Sequence, residues 1–261
     1  MLAVISPAKT LDFESSPNTN ASSMPDFLDQ SELLIERLRT LSEQELSSLM
    51  SISPKLASLN SQRYQDWQLP FSSENAKQAI LAFKGDVYTG FTLDQYTGKD
   101  FDYAQQHLRI LSGLYGLLRP LDFIQPYRLE MGTKLSTEQG RDLYAFWKPV
   151  LGNAMREAIK ASGEKVLINL ASQEYFQALD RSDLEARVIT PIFKDEKNGV
   201  FKIISFHAKK ARGCMSDYII RHRISSPEGL KDFQGMGYRF NAEPSDEDNW
   251  IFTRSPQTSS Q

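Results

Sequence analysis

Short apolar runs alternate with stretches of helical periodicity along this chain, and this pattern leaves few folds open to it. LAVIS, residues 2–6, and KVLINLAS, residues 165–172, each read as a short buried strand with a polar turn after it. ARVITPIF and VFKIISF read as two further strands, joined through Asn198-Gly199, a strong hairpin signal. GYRFN and NWIFTR predict a second hairpin near the end of the chain.

Segments with apolar residues at helical spacing separate these strands. Ser42 and Glu45 match a capping box, and residues 100–122 read as a helix that stops at two glycines. Residues 73–83 predict a short amphipathic helix, and residues 141–163 a long one with a kink at Pro149.

This alternation predicts an α/β fold: a single domain with a mixed β-sheet surrounded by helices. We expect the domain to cover residues 1–254 and a polar, disordered tail to cover residues 255–261. No internal repeat or long linker divides the chain.

The composition is that of an ordinary globular protein, with no apolar run of about 18 residues that would span a membrane. The single Cys214 excludes an intramolecular disulfide bond, which fits a reducing compartment. We therefore expect a cytoplasmic protein without a membrane partner, and a monomer, although the sequence leaves the oligomeric state open.

Positive charge is concentrated in one part of an otherwise acidic chain. The net charge is −3, yet residues 194–223 contain eight Lys and Arg against three Asp and Glu. Within this segment we single out five cations as candidate phosphate ligands: Lys209, Lys210, Arg212, Arg221 and Arg223. The first three would lie in the early turns of a helix, where cations oppose the helix dipole, so an anion is expected there. The alternative is a core-packing helix with a solvated flank.

Two glycines in LSGLYGLLRPLD, Gly113 and Gly116, precede Arg119. A tight hairpin at these glycines would let backbone N–H groups reach a phosphate, as in helix-hairpin-helix DNA-binding elements. The alternative is a helix stop that packs its leucines into the core.

Polar side chains follow several predicted strands and turns. In open α/β sheets, ligands collect beyond the carboxyl ends of the strands. The candidate polar pocket consists of Ser6, Lys9, Thr10, Lys84, Asp86, Asn169, Ser172 and Glu174. The alternative is that these residues serve only turn formation and helix capping.

The sequence lacks the motifs of several enzyme and metal-binding classes. No P-loop, G-x-S-x-G, H-E-x-x-H or dinucleotide fingerprint occurs. His107, His207 and His222 have no Glu three residues before them, so a di-iron site is unsupported. We therefore assign no catalytic residue, cofactor or metal ligand.

Seven separated segments together resemble a known family: SPAKT, FKGDVYTG, LRILSGLYGLLRPLD, PYRLEMG, INLAS with EYF, DEKNG with FKIISF, and AKKARG. In this order they resemble the bacterial YaaA family of peroxide stress proteins. The resemblance implies an unusual α/β topology with a helix-hairpin-helix-like element and a basic cleft that binds DNA. It also implies a role in surviving hydrogen peroxide and in keeping free iron low. His207 stands where relatives often have a tyrosine.

The leading hypothesis is therefore a non-enzymatic protein that binds the phosphate backbone of double- and single-stranded DNA with little sequence specificity. The alternative is an enzyme that acts on a nucleotide-like anionic metabolite at the polar pocket.

Overall fold

An eight-stranded mixed sheet forms the centre of the computed structural model, which describes residues 1–255. The strands are β1 Leu2–Ile5, β2 Thr10–Leu11, β3 Lys77–Gln78, β4 Phe83–Lys84, β5 Leu108–Ser112, β6 Gly116–Leu118, β7 Phe123–Ile124, β8 Val166–Leu170, β9 Arg187–Lys197, β10 Val200–Lys202, β11 Arg239–Phe240 and β12 Asn249–Arg254. The helices are α1 Leu28–Arg39, α2 Glu43–Met50, α3 Pro54–Asp66, α4 Ala79–Ala82, α5 Gly98–His107, α6 Leu143–Ala161, α7 Gln173–Phe176 and α8 Ser205–Arg221. Short 3-10 turns include Tyr88–Gly90, Leu93–Gln95, Arg181–Leu184, Pro227–Asp232 and Gly235–Gly237.

β1 is a central strand of the main sheet, whose order is β11-β12-β9-β8-β1-β5-β6 with β10 paired to the end of β9. It pairs in parallel with β5 on one side and with β8 on the other, so Ile5 lies between Ile110 and Leu170. After β1, the chain first forms β5 on one side of β1 and later crosses to form β8 on the other side. This reversal creates a topological switch point at the carboxyl ends of β1 and β8.

The predicted strands and the single α/β domain with a mixed sheet are confirmed. Every residue of β1 is buried, as the unbroken apolar run requires. Asn198 and Gly199 join β9 and β10 with φ values of 55° and 75°, and this left-handed pair is what a two-residue hairpin needs. The second hairpin is also present, since β11 pairs antiparallel with β12. The strand predicted over 200–206 is too long, because α8 begins at Ser205.

The helix predicted across residues 100–122 is wrong beyond His107. β5 and β6 pair antiparallel with Ser112 opposite Gly116, so Gly113 and Gly116 lie in a β-hairpin and not between two helices. The apolar residues of β5 are buried in the sheet beside β1, and this tertiary pairing overrides their helical spacing. The helix-hairpin-helix element expected at these glycines is therefore not found in this segment.

Two further predicted helices and the predicted tail differ in how they compare with the structure. The helix expected over residues 73–83 is reduced to α4, because Lys77 and Gln78 pair with β7 instead. The long helix is present as α6, with Pro149 inside it. The disordered tail expected over 255–261 lies, from residue 256 onward, outside the described residues. Within residues 1–255 no helix has the length and apolar character needed to cross a membrane.

Two glycines set the position of α8. A Cβ on Gly213 would lie 1.7 Å from the Val87 carbonyl oxygen, and one on Gly90 would lie 2.4 Å from the Cys214 nitrogen. Because the backbones approach so closely, the turn after β4 is held directly against α8. Polar residues of that turn are thereby brought together with Lys209 and Arg212 of α8 at the carboxyl ends of β1 and β8.

Candidate functional site

A cleft with a volume of ≈ 390 Å³ opens at the carboxyl ends of β1 and β8. We call it the switch-point cleft. Seven of the eight residues of the predicted polar pocket line it, together with two cations of α8: Ser6, Lys9, Thr10, Lys84, Asp86, Ser172, Glu174, Lys209 and Arg212. The fold thus brings together two groups of residues that lie far apart in the sequence, the predicted polar pocket and part of the predicted phosphate-binding helix.

Ser6 is the structural link at the floor of this cleft. Its Oγ accepts a 2.9 Å hydrogen bond from the Ser172 amide and lies 3.3 Å from the Ser172 Oγ. Its carbonyl accepts from the Tyr88 hydroxyl at 3.2 Å. Tyr175 is buried in the same wall, and this burial raises its pKa well above the ordinary value, so the side chain remains a neutral hydroxyl at physiological pH.

Carboxylates face the cations across the cleft. Glu130 pairs with Lys9 at 2.6 Å and with Arg128 at 3.1 Å. Oε1 of Glu174 accepts from the Gly132 amide at 3.0 Å. Glu130 was missed as a site residue by sequence reasoning, although it lies in the PYRLEMG segment that supported the family resemblance. The loop that carries it is fixed in place by these contacts.

Lys84 is held at the rim by a carboxylate that was also missed. Its Nζ lies 3.5 Å from Asp12, which lies 3.7 Å from the buried Lys77 as well. Hydrogen bonds from the Ser15 amide and hydroxyl, with the charge of Lys77 nearby, hold the pKa of Asp12 well below its usual range. Lys84 is therefore exposed and already paired.

Arg212 differs from the other cations because its guanidinium is half-buried and makes no hydrogen bond or ion pair with any residue from 1 to 255. Burial lowers the pKa of this guanidinium, which nevertheless stays charged at neutral pH. Arg212 also lines an adjoining cavity of ≈ 910 Å³, and so stands where the two spaces meet. Asn169, the eighth residue of the predicted pocket, lines that second cavity, with its Oδ1 accepting from the Ala171 amide.

Further lysines lie on α8 and on the β9–β10 hairpin that precedes it in the chain. Lys209 is exposed and Lys210 half-buried in the first turns of α8, while Lys197 and Lys202 are exposed on the β9–β10 hairpin. Over the described chain, none of these four lysines forms an ion pair or side-chain hydrogen bond. We call these four residues the lysine surface.

Arg221 and Arg223, the other two cations predicted for phosphate binding, lie elsewhere. Arg221 bonds to Thr92 and Gln95, both at 2.7 Å. Arg223 pairs with Asp100 at 2.8 Å and lies over the ring of Tyr103. Since nine residues of helix rise by about 14 Å, Arg221 is far from Arg212. Both arginines fasten the carboxyl end of α8 to neighbouring structure.

The residues of the predicted glycine hairpin, Gly113, Gly116 and Arg119, do not line the switch-point cleft. Gly113 is buried, and a Cβ there would lie 2.2 Å from the Leu129 carbonyl oxygen. The turn amides of Leu114 and Tyr115 are already donated to Ser112 Oγ. Arg119 is paired with Asp122 and Asp26. These backbone and side-chain donors are therefore engaged within the protein.

The remaining reactive side chains do not enter the switch-point cleft. His207 lines a separate cavity, where its Nδ1 lies 3.3 Å from Oδ2 of Asp195. Burial raises the pKa of Cys214, although the charge of Lys210 acts in the opposite direction. Within the described part of the chain there is no group of three His, Cys, Asp or Glu placed to hold a metal ion.

Together, the fold and the site define a single-domain α/β protein with a charged cleft at its topological switch point, and with lysines on α8 and the β9–β10 hairpin that form no ion pair within residues 1–255. A family model described as "Peroxide stress protein YaaA" matches residues 1–244. A relative named "UPF0246 protein", from Cellvibrio japonicus (strain Ueda107), is 57% identical over 254 residues, which covers 97% of this chain and 98% of the relative. The chain belongs to the YaaA family of peroxide stress proteins, as the seven segments predicted, and this membership supports a role in the response to oxidative stress.

Proposed function

We propose that the protein binds the phosphate backbone of DNA through the lysine surface and protects DNA during peroxide stress. The observation that supports this most strongly is the set of four lysines, Lys197, Lys202, Lys209 and Lys210, without partners in residues 1–255 of an otherwise acidic chain. Unpaired cations on one segment attract a polyanion, while the negative remainder opposes indiscriminate coating. Contacts to phosphates position a protein without reading bases, so we expect little sequence preference on double- or single-stranded DNA.

The same contacts provide a route to limiting iron damage. Lysines that neutralise phosphates release the cations condensed on DNA, and ferrous iron is among the cations that phosphates attract. Ferrous iron reduces hydrogen peroxide to hydroxide and a hydroxyl radical and is itself oxidised to ferric iron. Displacing the iron from DNA moves this reaction away from the sugars and bases.

A paired comparison of variants tests the DNA interface. Lys209→Gln with Lys210→Gln removes two charges from the lysine surface. The control, Lys160→Gln with Lys165→Gln, removes two exposed charges near the amino end of β8, opposite the carboxyl end at which the cleft lies. In fluorescence anisotropy with labelled DNA, the first pair is expected to weaken binding and reduce the salt slope by about 2, and the second to leave the slope unchanged. Equal effects of the two pairs would rule out a localised interface.

Plasmid nicking by ferrous iron and peroxide tests the protective part of the proposal. Fewer strand breaks are expected with the wild-type protein than with the Lys209→Gln, Lys210→Gln variant. Equal protection by both proteins would show that protection does not depend on DNA binding through Lys209 and Lys210, and would contradict this part of the proposal.

A second candidate function is binding of, or chemistry on, a nucleotide-like anionic metabolite in the switch-point cleft. It is favoured by the convergence of seven predicted polar residues on one cleft at the switch point, which a passive DNA-binding surface does not require.

A further inference from the structure

The switch-point cleft contains nearly balanced charge, which is unsuited to a polyanion. Four cations line it, Lys9, Lys84, Lys209 and Arg212, against three carboxylates, Asp86, Glu130 and Glu174. A strand of DNA in the cleft would bring phosphates close to these carboxylates, and like charges repel at such distances. A small ligand with one anionic group and several hydrogen-bond donors would satisfy both kinds of side chain.

Only part of this charge is available to a ligand. Lys9 is paired with Glu130, and Lys84 with Asp12. Lys209 extends into solvent at the rim, while Arg212 is half-buried inside without a partner among the described residues. A guanidinium removed from water and left unpaired is costly, and a phosphate offers it two parallel hydrogen bonds.

Two carboxylates of the cleft, Asp86 and Glu174, are also available to a ligand. Asp86 makes no side-chain hydrogen bond within residues 1–255, and Glu174 uses Oε1 for Gly132, whereas its Oε2 has no such contact there. Carboxylate oxygens in this state accept from the hydroxyl groups of a sugar or from an amine. The cleft volume of ≈ 390 Å³ lies within the range of small-ligand sites.

From this arrangement we propose that the switch-point cleft binds a small phosphomonoester of nucleotide size. Arg212 binds the phosphate, and Asp86 and Glu174 accept hydrogen bonds from the hydroxyl or amino groups of the rest of the molecule. This assignment rests on the second candidate function and does not depend on DNA binding by the lysine surface.

Calorimetric titration with adenosine monophosphate, adenosine and inorganic phosphate tests the assignment on the full chain. We expect adenosine monophosphate to bind and adenosine to bind more weakly. Arg212→Gln should weaken the nucleotide by at least about 10-fold, the size expected for a lost charged hydrogen bond. Arg212→Lys should restore part of this loss, and Arg221→Gln, on the same helix, should have no effect. Asp86→Asn should weaken the nucleotide but not inorganic phosphate.

Nucleotide binding that is absent in the wild type, or unchanged in Arg212→Gln, would overturn the assignment. Fluorescence anisotropy with labelled DNA on the same variants shows separately whether the lysine surface binds DNA. Arg212→Gln should retain most DNA affinity, while Lys197→Gln with Lys202→Gln, two lysines that do not line the cleft, should lose DNA affinity and retain the nucleotide. A parallel loss of DNA and nucleotide in Arg212→Gln would show one shared surface and would also overturn the inference.

Discussion

The amide of Ser172 donates a 2.9 Å hydrogen bond to Oγ of Ser6 and so ties the turn after β8 to the turn after β1. The two residues are separated by 166 positions, so the contact forms only when the sheet has assembled. The floor of the switch-point cleft is therefore a product of the sheet topology.

This relationship predicts the effect of Ser6→Ala. The substitution leaves the Ser172 amide without its acceptor, which should lower the free energy of unfolding by about 1–3 kcal/mol. Urea unfolding followed by circular dichroism measures the change. Ser48→Ala, at an exposed hydroxyl of α2, is the control and should change stability by no more than about 0.5 kcal/mol. Equal stability of the two variants would contradict the structural role of Ser6.

Gly213→Ala tests the contact that positions α8. The added Cβ would lie 1.7 Å from the Val87 carbonyl, so the helix must move away from the turn after β4. We expect a loss of about 1–3 kcal/mol or more in unfolding free energy. Gly98→Ala, at the start of α5, is the matched control, because nothing lies within 4 Å of a Cβ added there. This variant should be neutral or stabilising. A folded, fully stable Gly213→Ala protein would mean that the close approach is not required.

Asp12 should contribute to the dependence of stability on pH. Its folded-state pKa lies below the ordinary value of 3.8, so its contribution is fully present above about pH 4 and is lost as the pH falls. Asp12→Asn should therefore lower the urea midpoint at pH 7 and reduce the further loss between pH 7 and pH 3. Asp102→Asn, at an exposed carboxylate without contacts in residues 1–255, is the control. An unchanged pH profile in Asp12→Asn would contradict the anchoring role of this carboxylate.

Cys214 should react slowly with peroxide. Burial raises its pKa, so less thiolate is present at neutral pH, and the thiolate is the reactive form. Mass spectrometry after peroxide treatment should show slower oxidation in the folded protein than in urea. Oxidation at the same rate in both conditions would contradict the burial of the thiol. Cys214→Ala should retain DNA binding.

The alternation of apolar runs predicted the domain and its main strands because such short, uninterrupted segments are buried only in a sheet covered on both faces. The same reasoning failed at residues 108–118. There the apolar spacing fits a helix, and only the pairing of Ile110 with its partners on β1 and β6 decides in favour of a strand. Local sequence does not contain that information.

Most of the cleft residues could be predicted because they follow strand ends. The roles of Glu130 and Asp12 could not be predicted. Glu130 pairs with Lys9, and Asp12 pairs with Lys84, and in each case the two residues are far apart in the sequence. Charge density in the sequence is the only feature that groups Arg221 and Arg223 with the phosphate ligands. Their hydrogen bonds to Gln95 and Asp100 become visible only in three dimensions.

The salt dependence of DNA binding measures how many phosphates the lysine surface neutralises. With four lysines on phosphates, the logarithm of affinity should fall with the logarithm of salt concentration at a slope of about −3 to −5. Anisotropy of labelled single- and double-stranded DNA across a salt series gives this slope. We expect a slope in that range for both forms of DNA, and an absence of binding at low salt would rule out DNA binding by the lysine surface.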